Sequence, residues 1–179
     1  MRSIEEVDAL AAAAHAGQVD KIGAPYIEHV RAVAAGLAPF GDDLVMAGLL
    51  HDIIEDTDWT AEQLREAGVS AYVVALVEAV TNERGVSYEE KIARITGSGR
   101  DAVLLKIADN AHNSRPDRAA QLPEEKRVRL AVKYRAARDV LWAAADDRDI
   151  EATVTIVNPS LLDELQERPT DRTQEAQDG

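Results

Sequence analysis

The chain is 179 residues long with a formal net charge of -13 and no cysteine. That length fits one packed domain better than two, and the absence of thiols excludes disulfides, zinc-thiolate sites and cysteine nucleophiles, so any metal must be held by nitrogen and oxygen. A surface this acidic repels a phosphate backbone at long range, which speaks against a nucleic-acid polymer as partner, while a small anionic ligand in a locally basic pocket remains compatible with it.

No apolar stretch approaches the ~20 residues that span a bilayer, and the start MRSIEEVDAL lacks the basic and hydrophobic regions of a signal peptide. The expectation is a soluble, cytoplasmic protein without a membrane partner. High alanine and leucine content, few aromatics and helical periodicity predict an all-α domain of seven or eight helices over residues 1–165.

In chain order, residues 4–16 form a first helix ending near Gly17. Pro25 precedes a second helix that carries His29 towards Pro39, and Asp42 or Asp43 caps a third leading into His51. Thr60 and Gln63 have capping-box spacing for a short fourth helix that Gly68 ends, and Ser70 caps a fifth to about Val80. Ser87 opens another. Val103, Leu104, Ile107 and Ala108 make an apolar face that delivers Asp109, and Pro116 and Pro123 bracket a loop. A long helix over 124–145 is expected to bury Val128, Leu130, Val132, Tyr134, Val140 and Leu141 to varying degrees. The alternating run ATVTIV at 152–157 reads as extended or irregular, and residues 166–179 read as a disordered polar tail.

The chemistry concentrates in LLHDIIEDT at 49–57. His51, Asp52, Glu55 and Asp56 sit among Leu49, Leu50, Ile53 and Ile54, and burying imidazole and carboxylates is costly unless they share a cation or a bonded network. His29, His51, Asp52 and Asp109 lie on three separate predicted helices, the way a helical bundle builds a metal site in its core. Two imidazoles and two carboxylates suit a first-row divalent ion better than calcium. Glu55 returns to the face of His51 and Asp52, and Glu55 or Asp56 is placed to orient a water or shuttle its proton.

Lys21, Lys106 and Arg115 are the cations nearest this set in sequence and candidates for phosphate contact. Lys106, amid apolar neighbours, needs an anionic partner. Tyr26 is either a nucleotide contact or packing. Asn113 either bonds a sugar or base or caps the break before Pro116. His15 reads as a partly buried helix-end imidazole, His112 as supporting or surface, and Trp59 as a cap over the fourth helix.

AHAGQ at 14–18, APYIEHVRAVA at 24–34, LLHDIIEDT at 49–57 and KIADNAHNSR at 106–115 resemble, in the same order, the HD-domain hydrolases of the RelA/SpoT type. The resemblance runs over roughly residues 7–145. It implies an all-α HD-domain helical bundle and a metal, usually manganese, held by His29, His51, Asp52 and Asp109, with Glu55 and Asp56 as acid/base or water-orienting groups. It also implies hydrolysis of the 3′-pyrophosphate of guanosine tetra- or pentaphosphate by a small stand-alone alarmone hydrolase. Asp20 stands where the family carries an arginine that stacks on guanine, with Lys21 retained beside it; Val30 follows the first histidine in place of proline, and Pro116 interrupts the NSRPD segment. Another nucleotide or phosphorylated cofactor, such as NADPH through its 2′-phosphate or a deoxynucleotide, therefore stays open. So do a non-catalytic nucleotide-sensing module and a homo-oligomer.

Overall fold

The computed structural model describes residues 2–168, and among them the chain is helical with no strand; a single bridge joins Val19 and Pro25. Twelve α-helical segments follow one another: α1 (Ile4–Ala14), α2 (Tyr26–Gly36), α3 (Asp42–Leu50), α4 (Ile53–Asp56), α5 (Ala61–Glu66), α6 (Ala71–Val80), α7 (Tyr88–Thr96), α8 (Arg100–Asn113), α9 (Pro116–Ala119), α10 (Glu124–Ala143), α11 (Asp147–Val157) and α12 (Leu162–Gln166). Eight of these have nine residues or more, which matches the expected count; the rest are short connectors.

The helix starts are written in the sequence. Ser3 with Glu6, Thr60 with Gln63, and Ser87 with Glu90 close capping boxes on α1, α5 and α7, and the Ser70 and Asp146 side chains accept from the first turns of α6 and α11. Gly68, in the left-handed region at φ 85°, turns the chain out of α5 as expected.

Helix α8 is the axis of the molecule. Residues 102–112 are buried without interruption, so α8 is enclosed by its neighbours instead of presenting a single apolar face. Helices α2, α3, α6, α7, α10 and α11 pack around it. The tightest approach is between α2 and α3: a Cβ on Gly48 would stand 2.7 Å from the Cα and 3.0 Å from the backbone nitrogen of Ala34. Only glycine lets these helices meet there, and they carry His29 and His51.

Four expectations are corrected. The run 152–157 is helical: it lies in α11, where Ile150, Thr153, Val154 and Val157 form a buried 3–4 spaced stripe and the Asp146 cap fixes the start. Local β-branching loses to tertiary burial. On α10, Tyr134 and Leu141 are buried, but Val128, Val132 and Val140 face solvent; Ala137, Arg138 and Trp142 take the inward positions. Between Pro116 and Pro123 the chain forms the short helix α9, with Pro116 at its first position. Of the segment read as a tail, Gln166 closes α12 and Arg168 pairs with Asp147 at 2.6 Å and donates to the Trp142 carbonyl; residues 169–179 lie outside the described part.

Candidate metal centre and its cavity

Four side chains converge from three places. His29 comes from α2, His51 and Asp52 from the turn joining α3 to α4, and Asp109 from the last full turn of α8. His29 Nε2 lies 3.4 Å from both Asp52 Oδ2 and Asp109 Oδ1, and His51 Nε2 lies 3.0 Å from Asp52 Oδ2 and 3.8 Å from Asp109 Oδ1. Ligand atoms of His29, His51 and Asp52 all fall within 4.8 Å of one another, a group that does not include Asp109.

The donor chemistry fits a cation. His51 Nδ1 is 2.8 Å from the Gly48 carbonyl, which can only accept, so Nδ1 carries the proton and a neutral ring leaves its lone pair on Nε2. That Nε2 is buried, has no hydrogen-bond partner among the described residues, and points at a carboxylate oxygen. Two acceptors face each other at contact distance, an arrangement that requires positive charge between them.

His29 is held the same way from behind. Its Nδ1 is 2.7 Å from Nδ1 of His112, itself buried. Burial, then the neighbouring His29 charge, push His112 down to about 3, so it stays neutral and accepts the His29 Nδ1–H. His29 Nε2 is thereby aimed at the two carboxylates. Burial works against a charged His29, but the hydrogen bonds it donates to Asp109 and Asp52 outweigh it and hold the group up at about 9. A proton thus occupies the place a metal would take.

The carboxylates are prepared as anions. Burial opposes charge on Asp52, yet His51 and His29 hold it well below the usual carboxylate range, and the hydroxyl of the half-buried Tyr26 donates to its Oδ2 at 2.6 Å. Asp109 is likewise held down against burial, chiefly by Lys106, whose Nζ donates to Oδ2 at 2.5 Å; Asn113 donates to Oδ1 at 2.5 Å. The anionic partner that Lys106 needs is therefore Asp109, and the same pair raises Lys106 above its ordinary range despite full burial. Asn113 serves Asp109 and stands near Lys21, its Oδ1 3.5 Å from Nζ.

These groups open onto a cavity of about 320 Å³, the size of a small-ligand site. Lys21, Tyr26, His29, Asp52, Glu55, Asp56, Lys106, Asp109 and Asn113 line it. Arg115 does not: Asp117 takes its guanidinium at 3.0 and 2.9 Å. Arg118 reaches the cavity instead. Glu55 is anchored by Lys91 Nζ and the Asn82 backbone N–H, both 3.0 Å from Oε2. Asp56 is pushed up, first by burial and then by Asp52 and Glu55, against the pull of Tyr26 and His15.

Asp20 is not a loose charge in the cavity. Its Oδ1 accepts from the backbone N–H groups of Ile22 and Ala24, and its Oδ2 pairs with Arg118 at 2.7 Å. The carboxylate closes its own turn and fixes a guanidinium at the cavity wall. His15 is nearly fully buried, bonds Gln18 at 2.8 Å and stacks on Tyr26 at 4.9 Å, while Gln18 donates to the Asp56 carbonyl. Trp59 packs against the core.

Sequence reading missed Lys91, Arg118, Lys133 and the bond that His29 donates to His112. The run around Lys91, KIARI, with Ile92 and Ile95 buried beside it, offered the same apolar-neighbour signal as Lys106; nothing local marks Arg118 or Lys133, which reach the cavity only through the packing of α9 and α10.

Comparison with known proteins places this geometry. The HD domain family profile matches residues 8–148. A guanosine-3′,5′-bis(diphosphate) 3′-pyrophosphohydrolase of Haemophilus influenzae is 39% identical over 130 residues, covering 66% of this chain and 19% of that protein. A GTP pyrophosphokinase of Streptomyces coelicolor is 31% identical over 92% of this chain and 21% of its own length. The guanosine-3′,5′-bis(diphosphate) 3′-pyrophosphohydrolase MESH1 of Danio rerio is 35% identical over 54% of this chain and 57% of its own. The chain thus spans about a fifth of the bacterial relatives. A solved structure described as a metazoan ortholog of SpoT that hydrolyzes ppGpp superposes with a TM-score of 0.72 at 24% identity, covering 90% of this chain and 94% of that one, which establishes the shared fold.

Proposed function

The chain belongs to the HD-domain family, and from that premise we propose that it is a metal-dependent phosphohydrolase of a small nucleotide, removing the 3′-pyrophosphate of guanosine tetra- or pentaphosphate. The observation that carries the reading is the buried, unpartnered Nε2 of His51 aimed at Asp52, a residue that lines a cavity together with lysines and Asp56. We assign His29, His51, Asp52 and Asp109 as the ligands of a divalent ion, manganese in our reading, since mixed nitrogen and oxygen donors suit a first-row metal. Such an ion supplies Lewis-acid polarisation of a phosphoryl oxygen and a hydroxide source near neutral pH.

The protein's own groups do the rest. Gly48 and His112 fix the two imidazole tautomers, and Tyr26, Lys106 and Asn113 fix the two carboxylates. Asp56, whose carboxyl is raised, holds a proton more readily than an ordinary aspartate and is assigned to proton transfer at the attacking water or departing oxygen. Glu55, immobilised by Lys91 and Asn82, is assigned to orienting that water, with Lys91 offsetting substrate charge beside it. A sensor would have no need of Asp56 in this position. Engagement of Asp20 by Ile22, Ala24 and Arg118 takes away the charge conflict it would otherwise pose to an anionic nucleotide. The reading places the protein in the cytoplasm, where such nucleotides are made. A panel of nucleotides incubated with metal-loaded protein tests it: release of pyrophosphate from the guanosine tetraphosphate is expected, and release of neither phosphate nor pyrophosphate from any member would refute it.

A further inference from the structure

The last turn of α8 has two working faces. Asp109 and Asn113, four residues apart, line the cavity at the metal centre, where Asn113 donates to Asp109 Oδ1 at 2.5 Å. Asn110 and Ser114 each follow one residue later, turned by about 100° around the helix, and meet Arg138 of α10 instead. Arg138 is buried, and every nitrogen of its guanidinium is engaged. Nη1 donates to Asn110 Oδ1 and to Ser114 Oγ, both at 3.3 Å, while Nε and Nη2 make a two-pronged pair with the carboxylate of Glu164 on α12, at 2.7 and 2.8 Å. Asn110 is fixed at both ends of its amide, since its Nδ2 donates to the Tyr134 carbonyl at 3.0 Å. The buried Asn158, at the end of α11, donates to the Ala111 carbonyl at 3.0 Å. The chain beyond α10 therefore grips this turn at two points.

We propose that Glu164 is a positioning residue for the metal centre: by holding Arg138 it fixes the last turn of α8 and, with it, the direction of the Asp109 carboxylate. The two faces belong to one helical turn, so a shift that releases Asn110 and Ser114 carries Asp109 and Asn113 along. Glu164 is what keeps Arg138 in place. A buried guanidinium left with only two neutral acceptors at 3.3 Å bears a desolvation cost that those bonds do not offset, and it turns out towards water. The carboxylate supplies the missing charge in a fork whose geometry is fixed. Arg135 joins the same carboxylate, 3.2 Å from Oε2, and the Arg138 guanidinium lies 5.7 Å from the centre of the buried Trp142 ring. Helix α12 lies outside the stretch 8–148 matched by the HD domain profile, so the hold comes from a part of the chain that the family pattern does not describe. This inference rests on the metal-centre reading for what the held turn serves, but the hold itself is measurable without metal.

The experiment titrates manganese by calorimetry into the full chain, into Glu164→Gln, into the double variant Arg138→Met with Glu164→Leu, and into Arg168→Gln, with thermal melting of each in chelator. Manganese affinity is expected to fall about tenfold in Glu164→Gln and in the double variant. The double variant should nevertheless melt close to the wild type, because a buried ion pair exchanged for apolar side chains of similar volume costs little. Arg168→Gln loses its bonds to Asp147 and the Trp142 carbonyl but leaves Arg138 and Glu164 paired; it should melt lower and keep wild-type affinity. Wild-type affinity in both Glu164 variants, or an equal loss in Arg168→Gln, overturns the assignment and leaves Glu164 a stabilising residue only. Amide hydrogen exchange in chelator reads the hold directly: protection of the Ser114 N–H, which bonds the Asn110 carbonyl at 3.0 Å, should fall about tenfold in Glu164→Gln, and unchanged protection overturns the proposal. Should the wild-type chain bind no manganese, the metal-centre reading falls and the proposal falls with it, whereas wild-type binding with unchanged variants removes the proposal alone.

Discussion

Replacing His112 with Phe removes the acceptor that fixes His29. The His29 ring is 4% exposed and its Nδ1–H has no alternative partner among the described residues, so the substitution strands a buried donor at a cost of about 1–3 kcal/mol. Against a typical domain stability of roughly 5–15 kcal/mol, the protein remains folded. Metal affinity reads a different quantity, namely the orientation and basicity of Nε2, and loss of such a supporting bond lowers affinity about 10–100-fold. Manganese titration by calorimetry, with thermal melting in parallel, measures both. His112→Gln, which offers an amide oxygen in place of the imidazole acceptor, should recover most of the affinity. Unchanged manganese affinity in His112→Phe, in a protein that melts a few degrees lower, would refute the idea that the His29–His112 bond serves the metal site.

Metal binding should depend on pH through His29. With that group held at about 9 in the metal-free protein, each metal ion bound expels one proton, so apparent affinity should rise about tenfold per unit between pH 6.5 and 8.5; a flat profile would remove His29 from the ligand set. The same raised value makes a contribution to metal-free stability that is fully present below the unfolded histidine value near 6.5 and is lost as pH rises through about 9, measurable as a falling melting temperature in chelator. Asp56→Asn should lower kcat by about 10²–10⁴-fold without a comparable loss of metal affinity, and parallel loss of both would make Asp56 a structural or ligating group. Gly48→Ala drives a methyl group against the Ala34 backbone and should destabilise the fold by about 1–3 kcal/mol while weakening metal binding, since it parts the helices bearing His29 and His51; a wild-type melting temperature would contradict that close approach.

Helix starts and the set His29, His51, Asp52 and Asp109, which the fold brings together, were legible in the sequence because their signals are local or ordered. Ser3, Thr60, Ser70 and Ser87 cap within three residues of themselves, and His51 and Asp52 are adjacent in an apolar run that makes their polarity conspicuous. The misreadings share the opposite cause. Thr153 and Val154 carry β-branched side chains that suit a strand, and only packing of α11 against α2 and α8 decides for a helix. Val128 and Val132 look like core but face outward, because the inward stripe of α10 is set by Tyr134, Ala137, Arg138 and Leu141. Arg115 and Arg118 are indistinguishable as isolated letters. The turn into α9 gives one to Asp117 and the other to Asp20 and the cavity.

The central claim is hydrolysis at the His29, His51, Asp52 and Asp109 centre, and manganese-dependent release of pyrophosphate from guanosine tetraphosphate, run beside Asp52→Ala and a panel of other nucleotides, tests it most directly. The account predicts release that requires added metal and is abolished in Asp52→Ala. Release that persists in Asp52→Ala, or no release from any nucleotide by metal-loaded protein, would contradict it.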